Sequence, residues 1–148
     1  MISDSIVWVS KRRLLIAALF VLGQLAAGSN TPRVSGTYAV VQETNLGGQE
    51  QIRLRIHLVN HGPTGLSIQR MTLWDFSHPE KGGTRACAVA LGAHASADTT
   101  QEFTIRHADY QMWGKGVQPR LVLQLTGPGN TRSKTVVRLD RDSSKEVR

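Results

Sequence analysis

The chain has 148 residues, of which 40% are hydrophobic and 20% are charged, and it contains one cysteine. Its length suits one domain, and its apolar content is too high for a disordered chain. Eighteen Lys and Arg residues against eleven Asp and Glu residues give a formal charge of +7, and one cysteine excludes an internal disulfide or a zinc site made of several cysteines.

The first 28 residues have the layout of a secretory signal. The basic cluster Lys11-Arg12-Arg13 precedes an apolar stretch, residues 14–25, and small residues follow up to Ser29. This order is typical of an export signal, with cleavage expected just before Ser29. Because the apolar stretch is shorter than the roughly 20 residues of a comfortable membrane span, we expect a cleaved signal, with an uncleaved signal anchor as the alternative.

Export would place the rest of the chain in the periplasm or outside the cell, and only residues 14–25 would contact the membrane if the signal stays attached. Without residues 1–28 the chain keeps 15 basic and 10 acidic residues, a charge of +5. We expect a flexible leader over residues 29–35, one folded domain over residues 36–140 and a charged, frayed tail over residues 141–148.

Seven segments of this domain have strand patterns. In residues 51–59 polar and apolar side chains alternate strictly, which predicts a half-buried strand. Its apolar face carries Ile52, Leu54, Ile56 and Leu58. The other six segments alternate less strictly or are rich in strand-forming residues, and they cover residues 37–42, 66–76, 87–91, 101–105, 120–125 and 135–139.

The connections between these segments predict the fold class. Glycine, proline and asparagine recur between the strands, including a turn over residues 92–100, and no segment has the pattern of an amphipathic helix. In residues 66–76 the alternation slips by one position, which predicts a β-bulge. We therefore predict an all-β, immunoglobulin-like sandwich of about seven antiparallel strands in two sheets.

Two turn regions support the same fold by resemblance. The strand that ends in Val59-Asn60-His61-Gly62-Pro63 leads into Leu66-Ser67-Ile68, and Leu91-Gly92 leads through Asp98-Thr99-Thr100 into Phe103-Thr104-Ile105. These stretches resemble bacterial extracellular immunoglobulin-like modules of the CARDB-like or fibronectin III-like kind. The resemblance spans about residues 36–138 and implies an adhesive, spacing or binding unit with no catalytic residues. The chain departs from antibody-type domains because one cysteine cannot form their inter-sheet disulfide.

The sequence contains no recognisable catalytic motif. It has no Gly-x-Ser-x-Gly elbow and no phosphate-binding Gly-x-x-x-x-Gly-Lys, and no spacing selects a pair of carboxylates for glycoside cleavage. Cys87 lies in an alternating apolar segment, which predicts a buried structural thiol inside the sandwich. We therefore expect neither an enzyme nor a cofactor.

The five histidines are expected to be ordinary surface residues. They are His57, His61, His78, His94 and His107. A metal site needs three or four ligands that converge in space, and a strand and its turn would not aim His57 and His61 at one point. A bound metal is the weaker alternative.

Basic residues cluster in two places. Arg53 and Arg55 lie on the polar face of one strand, and the last strand and tail carry Arg132, Lys134, Arg138 and Arg141. This pattern fits a solvated sheet face whose basic residues keep other strands from pairing with an edge. It also fits a surface for an anionic partner. Few aromatic residues interleave with these charges, so we expect no nucleic-acid partner.

Two tryptophans are candidates for contact residues. Trp74 follows Leu73, so strand alternation places only one of the two in the core. Trp113 lies in residues 109–116, which we expect to form a loop together with Tyr110 and Lys115. Loops on a rigid scaffold often carry binding residues, and packing over the end of the core is the alternative for Trp113.

The expected function is non-catalytic binding or assembly in the cell envelope, with another envelope protein or a surface glycan as partner. The candidate binding residues are Trp113, Tyr110, Lys115, Arg53 and Arg55. The alternative is an accessory subunit that pairs a strand edge, assigned to residues 135–139, with a partner protein. A metal-binding protein or an enzyme is the third and weakest possibility.

Overall fold

The computed structural model describes residues 32–74 and 83–145. The expected export signal, residues 1–28, lies outside the described residues. The elements in chain order are β1 (Val34–Asn45), β2 (Gln49–Asn60), β3 (Leu66–Leu73), β4 (Thr84–Leu91), β5 (Ser96–Arg106), α1 (His107–Gly114), β6 (Arg120–Thr126) and β7 (Arg132–Arg141). Short 3₁₀ turns occupy Pro128–Asn130 and Ser143–Lys145. Within the described ranges, no helix has the length and apolar character needed to cross a bilayer.

The seven strands form one mixed sheet in the order β4-β3-β6-β7-β1-β2-β5. Neighbouring strands are antiparallel except β7 and β1, which run parallel over residues 139–141 and 36–38. The expectation of antiparallel pairing throughout is therefore wrong at this pair. The sheet curls into a nearly closed cylinder, and its two end strands meet where Arg85 Nε on β4 donates a hydrogen bond to the carbonyl oxygen of Glu102 on β5 at 2.5 Å.

Strand β7 lies inside the sheet, between β6 and β1. Its pairing with β1 covers only residues 139–141, whereas residues 132–138 pair with β6 alone. Of the expected edge over residues 135–139, only Leu139 is therefore paired on both sides, and the assignment of an edge stays a prediction for residues 135–138.

The core is built from the alternating apolar faces of the strands. The four apolar residues of β2 have no exposed surface, which confirms the strand predicted from its period of two. Three leucines of β6 and Phe103 of β5 are equally buried; the leucines are Leu121, Leu123 and Leu125. Alternation thus predicts which residues form the core.

The bulge predicted in β3 is confirmed. The pairing of β3 with both β4 and β6 shifts register between Ile68 and Arg70, so Gln69 and Arg70 are both exposed while Ile68 and Met71 are buried. At the end of the strand Leu73 is buried and Trp74 is only half-buried, as the alternation predicts.

Gly36 allows β1 to approach the core closely. A Cβ atom at this position would lie 2.8 Å from a methyl group of Leu139 and 2.9 Å from one of Leu58. Both leucines are fully buried, so they have little room to move away. Glycine at this point lets β1 sit between β2 and β7.

Helix α1 is absent from the sequence prediction, which placed a loop over residues 109–116. Trp113 is the only buried residue of the helix, so the segment has no apolar stripe of the kind that marks an amphipathic helix. Strand β5 also begins earlier than predicted, at Ser96. Its first half consists of small and polar residues, which are typical of a turn, and this explains why the prediction started the strand too late.

The chain leaves the sheet in an ordered way. Asp140 and Arg141 extend β7, and the Asp142 amide donates to the carbonyl oxygen of Tyr38 at 2.7 Å before the turn at Ser143–Lys145. The expected frayed tail is therefore wrong for residues 141–145. At the other end β1 begins at Val34, two residues inside the expected leader.

Cys87 packs against the core from β4 without being fully enclosed. Its thiol lies 3.6 Å from the carbonyl oxygen of Ile68, and burial raises the pKa of the thiol. The prediction of a thiol inside the fold is thus met only in part, because β4 is an end strand of the sheet.

Candidate functional site

Helix α1 positions a cluster of three aromatic rings. Trp113 is only 7% exposed and contacts Tyr38 on β1 and Tyr110 on the helix, with ring centroids 5.5 and 5.3 Å away. Both pairs have the edge-to-face geometry that aromatic rings favour. Tyr110 and Trp113 are three residues apart and so share one helix face, which fixes α1 against β1.

A pocket of about 440 Å³ opens beside this cluster, and we call it the aromatic pocket. Its wall contains Glu50, a carboxylate that is 5% exposed. Asn45 Nδ2 donates to Glu50 Oε1 at 2.8 Å, and His107 Nδ1 lies 2.5 Å from the same oxygen. These partners offset the cost of burying the carboxylate.

One tautomer of His107 satisfies both of its ring nitrogens. With the proton on Nδ1, the ring donates to Glu50, and Nε2 accepts a hydrogen bond from Gln111 Nε2 at 2.7 Å. His107 therefore links β2 to the helix through contacts of both of its ring nitrogens.

Tyr110 lines the same pocket and donates a hydrogen bond to Glu43. Burial, the larger cause, and the neighbouring Glu43 carboxylate both raise the pKa of the Tyr110 phenol above its ordinary value. The phenol is therefore a stable hydrogen-bond donor at neutral pH.

The polar residues of the aromatic pocket are mainly engaged with one another. Among the described residues its lining contains no serine, threonine, cysteine or lysine, and no three His, Cys, Asp or Glu side chains in that part of the chain are placed to hold a metal ion. Its polar side chains bind one another instead, and these contacts account for the attachment of α1 to β1 and β2.

The five residues predicted to bind a partner do not form one site. Trp113 and Tyr110 lie together in the wall of the aromatic pocket, whereas Lys115 is exposed just beyond the helix and is not part of that wall. Arg53 and Arg55 are exposed on β2, away from the pocket. Their binding roles stay predictions.

A second surface is strongly basic. The outer side of β3, β6 and β7 carries five cations, which together we call the basic face: Arg70, Arg120, Arg132, Lys134 and Arg138. Register brings residues from distant segments into rows. Gln124 pairs with both Arg70 and Lys134, and Arg120 pairs directly with Arg138.

No carboxylate forms an ion pair with the basic face among residues 32–74 and 83–145. Arg120 instead lies 5.9 Å from the centre of the Trp74 ring, a cation–π contact. The next outward residue of β7, Asp140, accepts a hydrogen bond from Gln118. The cations of the basic face therefore have no ion-pair partner in these ranges. The Asp140 carboxylate keeps its charge at the end of the same outward row, because Gln118 is neutral.

The row on β2 differs because two of its side chains have carboxylate partners. Arg53 pairs with Glu102 at 3.2 Å, and the neighbouring His57 lies 2.8 Å from Asp98. Arg53 and His57 thus have carboxylate partners, whereas Arg55 between them has none among the described residues. For Arg53 and His57 this favours the solvated sheet face, the plainer of the two interpretations that the sequence allowed.

A groove of about 950 Å³ lies on the part of the basic face that carries Arg70, Arg132 and Lys134, and Arg120 and Arg138 do not line it. The bulge in β3 turns both Gln69 and Arg70 into it, and β7 contributes Arg132 and Lys134. Sequence analysis identified the β7 cations but missed Arg70 and Arg120. Arg70 and Arg120 each precede a buried residue, Met71 and Leu121, so strand alternation predicts that both face outward. Only the strand order shows that they lie beside the cations of β7.

Comparisons with known proteins assign no family. No family model matches the chain, and no curated protein matches it. An X-ray structure described as Northeast Structural Genomics Consortium target SoR45 is 10% identical, with a TM-score of 0.44 over 79% of this chain and 92% of the other. A crystal structure of a protein from Archaeoglobus fulgidus is 11% identical, with a TM-score of 0.35 over 72% and 90%.

Proposed function

We propose that this protein is an exported, non-catalytic binding module of the cell envelope that recognises an anionic partner through the basic face. The observation that supports this most is the set of five cations on one sheet face that have no ion pair within residues 32–74 and 83–145. Arg120 and Arg138 lie directly opposite each other on neighbouring strands. Like charges in this arrangement destabilise a sheet. An anion that binds between them would remove this repulsion.

The proposal includes a finer view of the fold. Strands β4-β3-β6-β7 and β1-β2-β5 would be the two layers of an immunoglobulin-like sandwich, since the parallel pairing of β7 with β1 covers only three positions. The resemblance of the two turn regions to bacterial extracellular modules favours the same view, and export rests on the pattern of residues 1–28.

Binding of the full chain to two polyanions, polyglutamate and polygalacturonate, tests the proposal. The double variant Arg70→Gln/Arg138→Gln should weaken binding about tenfold or more, a loss of roughly 1.4 kcal/mol. Binding of the unchanged protein should also fall as salt rises, because exposed charges are screened.

The matched control is Arg53→Gln/Arg55→Gln, which removes the same charge from β2, outside the basic face. It should leave binding nearly unchanged. Equal losses in both variants would mean that net charge alone attracts the polymer, and no binding to either polymer would rule out the basic face as an anion site.

Pairing by a strand edge has less support. Its assigned strand, residues 135–139, pairs with β6 along one side and with β1 only at residue 139. The end strands of the order, β4 and β5, are joined at one point by the hydrogen bond from Arg85 to the Glu102 carbonyl oxygen. No contact among the described residues favours one of these strands as the pairing site.

A further inference from the structure

We infer that the anionic partner of the basic face is an acidic polysaccharide, a linear polymer that carries both hydroxyl and carboxylate groups. This inference rests on the proposed function and adds the chemical class of the ligand. It depends on the polar side chains between the cations, which a purely electrostatic surface would not need.

The groove alternates cations with neutral hydrogen-bonding groups. Gln124 lies between Arg70 and Lys134 in one cross-strand row, and Thr126 lies beside Arg132 in the next. The Gln124 amide has no hydrogen-bond partner within the described ranges, so both its donor and its acceptor are available. An amide suits a sugar hydroxyl, which can donate and accept at once.

The cations themselves suit carboxylates. Four of the five are arginines, whose planar guanidinium groups can bind a carboxylate through two parallel hydrogen bonds. On β7 the charges recur every second residue at Arg132 and Lys134, a spacing of about 7 Å along the strand. A repeating anionic chain can contact such charges in succession.

An anionic membrane fits this surface less well. Three large hydrophobic side chains are exposed among the described residues, and only Val136 lies on the outer side of β7, whereas Leu46 and Met112 belong to other parts of the chain. Among the described residues the basic face therefore offers only one large exposed apolar side chain for insertion between lipids, and its groove is concave.

The test compares polymers that share charge but differ in hydroxyl groups. Polygalacturonate has carboxylates and hydroxyls, polyglutamate of equal charge has carboxylates only, and dextran has hydroxyls only. The full chain should bind polygalacturonate at least about threefold to tenfold more tightly than polyglutamate, since one or two added hydrogen bonds give a difference of that size. It should not bind dextran measurably.

The variant Gln124→Met keeps the length of the side chain and removes its amide. It should abolish the preference for polygalacturonate and leave polyglutamate binding unchanged. Gln42→Met, on an exposed position of β1 outside the groove, is the matched control and should change neither affinity. Circular dichroism and thermal unfolding establish that both variants are folded.

Each outcome separates this inference from the proposed function. Equal binding of the two polyanions overturns the acidic polysaccharide but leaves the anion site intact, whereas no binding to either overturns both. Vesicles with and without anionic lipid complete the set, because residues 14–25 could bind either kind. Binding that requires anionic lipid, is lost in Arg70→Gln/Arg138→Gln and exceeds polygalacturonate binding would overturn the inference in favour of a membrane.

Discussion

At the scale of single residues, Asn60 is a buried polar side chain that joins two turns. It is 1% exposed at the end of β2. Its Nδ2 donates to the carbonyl oxygens of Thr64 at 2.8 Å and Gly92 at 3.0 Å, and its Oδ1 accepts from the Gly62 amide at 2.9 Å. The Asn-x-Gly-Pro pattern predicted a turn here, whereas the link to Gly92 depends on a contact 32 residues along the chain.

Replacing Asn60 by alanine should therefore destabilise the fold. The substitution removes three hydrogen bonds to part-buried backbone groups, and we expect a loss of about 2–4 kcal/mol in the free energy of unfolding. Urea titration measures this loss. Thr64→Ala is the control, because it removes an exposed hydroxyl and keeps the carbonyl group, and a similar loss in both variants would contradict the role given to Asn60.

Tyr110 should make the stability depend on pH in the alkaline range. A tyrosine in the unfolded chain loses its proton near pH 10, while folded Tyr110 keeps its proton to higher pH. Between these two values the folded state binds more protons, so the free energy of unfolding falls as pH rises. The contribution is complete below about pH 10 and disappears as pH rises through the pKa of the folded state.

The measurement is urea unfolding of the unchanged protein and of Tyr110→Phe at several values between about pH 9 and pH 11. The unchanged protein should lose stability more steeply than the variant. Parallel curves would show that Tyr110 titrates normally and that its contact with Glu43 does not favour the protonated phenol.

At the scale of elements, the packing of β1 depends on the absence of a side chain at Gly36. Alanine at this position should destabilise the protein by about 1–3 kcal/mol, since an added methyl group in a packed core forces its neighbours to shift. Thermal or urea unfolding measures the effect. Gly48→Ala is the matched control, because its Cβ would meet no atom within 4 Å, and an equal effect there would contradict the argument.

The elements also show what patterning can and cannot predict. All seven strands were predictable, as was the bulge beside Arg70, because burial of one face imposes a period of two. Helix α1 was not, since it is held by Trp113 and by the link between His107 and Glu50. These contacts join residues that are far apart in the chain, so the local pattern of polar and apolar residues could not predict the helix.

At the scale of the whole molecule, strand order decides which charges share a surface. Residues 132–138 supplied the basic signal in the sequence, but the groove also needs β3 and β6. The aromatic pocket likewise combines β1, β2 and α1. The sequence could therefore identify some residues of each site. Which residues come together in one site could be known only from the order of the strands.

The basic face should lower the stability of the unliganded protein. Arg138→Gln removes one of two opposed charges and should raise the free energy of unfolding by about 0.2–1 kcal/mol at low salt. The gain should vanish near 1 M salt, where the screening length is about 3 Å. Arg53→Gln is the control and should give no gain because Arg53 has a carboxylate partner. A gain from both, or from neither, would contradict the argument.

The parallel contact between β1 and β7 has a mechanical consequence. The chain enters the domain at the start of β1 and leaves it at the end of β7, and these strands lie side by side in the same direction. A force that pulls the two ends apart therefore loads this contact in shear, so its hydrogen bonds share the load instead of opening one after another. Gly36 pairs with Leu139 at the first of the three positions of this contact, so the tight packing at Gly36 lies where the load is carried when the domain is stretched.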